Sequence, residues 1–83
     1  MSTSPDTRTE DRLITLISRW LARHIGNDEL VRGIAETGSD GLGPGQLAAL
    51  GELTERLEGA EPGERGELEM IARETLEALA LGD

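Results

Sequence analysis

Apolar residues between positions 8 and 25 recur with a helical period. At about 100° per residue, Leu13, Ile14, Leu16, Ile17, Trp20, Leu21 and Ile25 share one half of a wheel; Thr15, Ser18, Arg19, Ala22 and Arg23 share the other. A face that wide exceeds a coiled-coil seam and predicts contact with more than one neighbour. Thr7 and Glu10 have capping-box spacing, and Gly26 is the expected stop. A shorter helix is expected over 27–37, with Asn27 as its cap and Leu30, Val31, Ile34 and Ala35 on a narrow apolar face.

The segment Gly38-Ser-Asp-Gly-Leu-Gly-Pro-Gly45 breaks the pattern and reads as a loop. Pro44 suits the first position of the helix after it. That helix, over 44–58, would bury Leu47, Leu50, Leu53, Thr54 and Leu57. Gly51 lies inside it at a cost of about 1 kcal/mol against Ala, which suggests a close helix approach. A short turn over 59–64 joins it to a last helix over 64–81, as between antiparallel neighbours. There Leu68, Ile71, Ala72, Thr75, Leu76 and Leu79 face inward, with Met70 and Leu81 on the opposite side. Residues 1–7 are polar and are expected to be a disordered tail.

The fold class that follows is all-α: a small bundle of three to four helices, the first of them central, in a single domain over residues 8–83. Composition adds an argument for a second chain. Eighty-three residues with one Trp, no Phe, no Tyr and eleven Gly have little with which to build a core. Homodimerisation would complete it. Leu16, Trp20, His24, Met70 and Leu81 are the expected interface residues, since large apolar groups carry most interface energy.

Charge is divided unevenly. Residues 1–35 hold five acids and five Arg; residues 36–83 hold twelve acids and three Arg, so the whole net charge of −9 lies in the second part. Direct binding of nucleic acid or an anionic membrane there would be repelled, and a basic protein partner favoured. Arg8, Arg12, Arg19 and Arg23, spaced by four, seven and four, make an electrostatic stripe on the first helix. Such a stripe could grip an acidic partner; the plainer reading is a solvated edge, or one paired with Glu67, Glu74 and Glu77 of the last helix. His24, placed by the wheel on the apolar half, is expected as a core or interface residue with its nitrogens satisfied. All eight basic residues being Arg is a mark of GC-rich coding.

Chemistry is sparse. Without Cys there is no disulfide, thiolate metal site or thiol nucleophile. The single His and the acid spacings give neither a metal cluster nor a calcium loop. The Gly-rich loop lacks the preceding strand and following Lys-Ser/Thr of a phosphate loop. The long loop and acidic later helices disfavour a helix-turn-helix reader. An acyl-carrier protein, also small, acidic and four-helical, is rejected, because that family attaches its arm at an Asp-Ser-Leu motif. Here the order is Ser39-Asp40-Gly41-Leu42, so no attachment site is expected. We expect no catalysis, cofactor or metal. With neither a spanning segment nor a secretory signal, a cytoplasmic location is expected.

Two functions remain. One is a small regulatory, adaptor or accessory subunit that acts by helix packing. The other is an acidic inhibitor that occupies a basic, nucleic-acid-binding surface of its target. The first predicts salt-resistant association, the second association that weakens with salt.

Overall fold

The computed structural model describes residues 9–61 and 63–82. They form four helices: α1 (Thr9–Leu21), α2 (Asn27–Thr37), α3 (Pro44–Glu58) and α4 (Arg65–Leu81). No strand occurs among the described residues, so the protein is the all-helical structure that periodicity predicts. The expected Thr7 cap and N-terminal tail lie outside them.

α1 ends four residues before the apolar pattern does. Arg23 takes a left-handed conformation, φ 66°. Its amide donates to the Trp20 carbonyl at 3.0 Å, and the His24 amide reaches back to the Arg19 carbonyl at 2.9 Å. This pair of bonds is a Schellman end, with Arg where Gly is usual. The helix therefore stops before Gly26, and His24 leaves the wheel on which the sequence placed it. Its side chain is exposed in the turn, not packed in a core. Gly26 instead precedes α2, and Glu29 accepts a hydrogen bond from the Gly26 amide at 3.2 Å. Asn27, released from capping, accepts from Trp20 Nε1 at 2.7 Å.

The helices form a ring. α1 packs on α2 and α4, and α3 closes the circuit between them. Among the described residues no close backbone approach joins α1 to α3. α1 is thus one of four similar walls, not a central post. Its Leu13, Ile17 and Trp20 have no exposed surface. They join Leu30 and Ile34 of α2, Leu50, Leu53 and Leu57 of α3, and Leu68, Ile71, Ala72 and Leu79 of α4 in one cluster. Leu42 packs against this cluster from the 38–43 loop.

One polar side chain pins three helix ends. Gln46 is 1 % exposed. Its Oε1 accepts from the Gly43 amide at 2.7 Å, at the start of α3. Its Nε2 donates to Glu10 in the first turn of α1 at 3.0 Å, and to the Leu79 carbonyl in the last turn of α4 at 3.1 Å. The Gly43 amide and Leu79 carbonyl are groups that a helix leaves unpaired at its ends. Burying them without Gln46 would cost about 1–3 kcal/mol each.

Candidate partner-docking groove

The expected interface residues are not brought together. Trp20 is enclosed by its own chain. Arg65, in the first turn of α4, lies over its ring at 3.8 Å from the centroid. The same guanidinium donates to the Trp20 carbonyl at 2.7 Å and to Glu69 at 2.9 Å. Trp20 therefore anchors α4 to α1 within the protomer and presents no side chain to a second one. Arg65 was not foreseen, although a cation at the positive end of a helix dipole signals another duty.

The Glu69 carboxyl is held below the ordinary 4.5, chiefly by the hydrogen bond from Arg65, then by the charges of Arg65, Arg23 and Arg73, against some desolvation. Arg23 approaches Glu69 at 4.0 Å while three-quarters exposed. Glu67 meets Arg56 of α3 at 3.9 Å. The stripe of α1 is thus met at Glu69, not along Glu67, Glu74 and Glu77. Arg12 and Arg19 are exposed; Arg8 lies outside the described residues.

Leu16 is half-buried against α2. A Cβ on Gly33 would lie 2.8 Å from Leu16 Cδ2, so Gly33 is what admits this side chain. Met70 and Leu81 are 60 % and 69 % exposed on α4. Eleven residues separate them, or about 16 Å along a helix, so they form no single patch.

Two apolar concavities lie elsewhere: one of ≈ 320 Å³ between α1 and α2, lined by Leu16, Gly33 and Arg12 among others, and a larger one between α2 and α3. There Ile34 and Ala35 face Leu50 and Thr54 across a groove of ≈ 430 Å³. Leu47, expected in the core, stands at its margin with 43 % of its surface exposed. The cause is Gln46: with that side chain turned inward to serve three helix ends, the first turn of α3 buries Gln46 rather than Leu47. Thr54 donates its hydroxyl to the Leu50 carbonyl at 2.9 Å, so it makes no polar demand on the groove. Gly51 also lines the groove, and a Cβ there would meet nothing within 4 Å. The close approach that Gly51 suggests is therefore not made within the chain.

The rim is acidic. Among the described residues, Glu55 and Glu58 are its only charged lining groups, and neither forms an ion pair. Gly38 and Ser39 bring the end of α2 to the same groove. Its last turn has no basic residue, so the negative end of the helix dipole stands uncompensated there. Beyond Glu58 the seam continues to Val31 and Leu57, with Asp28 and Arg32 at its edge.

Among the described residues, no group of three or more His, Asp or Glu side chains is placed to hold a metal ion. No described helix is long and apolar enough to cross a membrane. No protein-family model, curated protein or solved structure matches the chain.

Proposed function

We propose that this protein is an interaction module, a regulatory, adaptor or accessory subunit that acts by helix packing and performs no catalysis. The observation that carries this reading is the α2/α3 groove: an apolar concavity with Leu47 43 % exposed on its edge and a bare glycine backbone in its wall. Exposed apolar residues scattered singly need no explanation, whereas a lined concavity is what a partner's side chains fill. Self-association belongs to the same reading. For a second copy, α4 offers Met70 and Leu81 as two separate apolar contacts, and Trp20 offers none.

The test is site-specific photo-cross-linking in the cells that make the protein. A photoreactive residue replaces Leu47 in one variant and exposed Glu74 of α4 in another. We expect a discrete adduct from position 47, lost when Gly51→Leu blocks the groove. Equal labelling from both positions would refute the reading. An acidic inhibitor of a nucleic-acid-binding protein is the second reading, supported by the exposed carboxylates of Glu52, Glu55, Glu74 and Glu77. It requires the adduct, formed in an extract of the same cells, to vanish at high salt and to be indifferent to Gly51→Leu.

A further inference from the structure

We infer that the α2/α3 groove receives a basic amphipathic helix of another protein, laid across Gly51 with its cations at Glu55 and Glu58. This rests on the interaction reading above and names the class of partner. Three independent features converge on it.

The first is shape. Leu47, Leu50, Gly51, Thr54, Glu55 and Glu58 fall at helical intervals along one face of α3. With α2 opposite, they leave a trough between two helices, the form that an amphipathic helix fills by its i, i+3, i+4 and i+7 anchors.

The second is Gly51. A glycine in a helix interior lowers stability by roughly 1 kcal/mol relative to Ala. At Gly33 that loss has a return inside the chain, because Leu16 occupies the space. At Gly51 nothing does. Small residues let two helix backbones approach closely, so the missing side chain fits a helix from outside.

The third is charge. The lining carries two carboxylates and no cation, and the α2 carboxyl end adds partial negative charge. A second copy docking groove to groove would bring four carboxylates and no cation into one contact, since a twofold contact uses the same patch on both sides. Like charges so placed oppose association. The occupant is therefore a different chain, with Lys or Arg flanking its apolar stripe.

The experiment is selection from a displayed library of amphipathic helices. The apolar stripe is drawn from Ala, Leu, Ile and Met, and flanking positions are free to be Lys, Arg, Asp, Glu, Gln or Ser. Selection is on the whole protein, with counter-selection on Gly51→Leu. We expect enriched helices to carry net positive flanks and to shift the amide resonances of Leu47, Gly51 and Ser39 in the labelled protein. They should bind Gly51→Leu about ten-fold or more weakly, a loss of one power of ten in Kd. They should also lose affinity in Glu55→Gln/Glu58→Gln. Enrichment of neutral or acidic helices that still need an open Gly51 would overturn the basic partner and leave the interaction reading standing. No enrichment over Gly51→Leu would overturn both. Concentration-dependent shifts of the same amides without any peptide would make the occupant a second copy and sink the proposal.

Discussion

Gly33 and Gly51 both lie inside helices, Gly33 in α2 where it faces α1 and Gly51 in α3 where it faces the groove beside α2. At the first, Leu16 lies where a side chain would be, so the glycine is a fitting made for its own chain. At the second the space is open, and the surrounding wall is apolar with an acidic rim. The same residue type, with the same penalty to helix stability, is explained by folding in one seam and left unexplained by folding in the other. The difference teaches that a glycine in a helix is informative only once its neighbours are known.

The largest effect that separates closed from open regions is expected from truncating apolar side chains. Trp20→Ala removes the ring from a fully enclosed site and its contact with Arg65. It should destabilise the protein by about 3–5 kcal/mol, a large fraction of the stability of a domain this size. Leu47→Ala at the groove margin should change stability by no more than about 1 kcal/mol. Urea unfolding measures both, and comparable losses would mean that the groove is part of the core.

The two glycines come next. Gly51→Ala should stabilise by roughly 1 kcal/mol, the helix-propensity gain with no clash to offset it. Gly33→Ala should gain less, because its new methyl must displace Leu16 from 2.8 Å. Adding Leu16→Ala should restore the full gain to Gly33→Ala, a coupling that a double-mutant cycle reads directly. Equal gains at the two positions in the wild-type background would erase the distinction.

A smaller stabilisation, about 0.5–1 kcal/mol, is expected from Arg23→Gly. It relieves a left-handed residue at the end of α1 and gives up only a long, exposed ion pair with Glu69. Thermal melting should show a higher Tm; a lower one would mean that Arg23 has a packing role.

The smallest effect is electrostatic and belongs to the closed corner. The folded state holds the Glu69 carboxyl below its ordinary 4.5, so it favours the charged form. The stabilisation is fully present above that value and is lost as pH falls through the lowered one. Glu69→Gln should therefore melt below the wild type at neutral pH, with the gap closing as pH drops from 4.5. A gap that stays constant to low pH would remove the Arg65–Glu69 pairing from the account.

Much of the fold was legible because it follows from period. α2, α3 and α4 begin and end within a residue of where Gly, Pro and apolar spacing put them. The end of α1 was not legible. A Schellman turn needs only a tolerable left-handed residue, and Arg23 gives no sign of being one. That error carried His24 onto an apolar face it does not occupy. The pattern of α1 alone makes Trp20 look available to a second chain, because the groups that enclose it, Asn27 of α2 and Arg65 of α4, lie outside that helix. Gln46 sits at the third helical position after Gly43, a capping signal that could have been used. Its burial, which displaces Leu47 to the surface, depends on Glu10 and Leu79 across the bundle. The groove followed from that exchange and so was invisible in any one helix.

The most direct test of the groove is one variant measured twice. Gly51→Leu should fold with a melting temperature no lower than the wild type, since nothing lies within 4 Å of the added Cβ and Leu favours the helix. The same variant should lose the cross-link formed from position 47. Retained stability with a lost cross-link is the predicted result. A variant that keeps the cross-link, or that unfolds, would show that Gly51 does not hold the groove open for a partner.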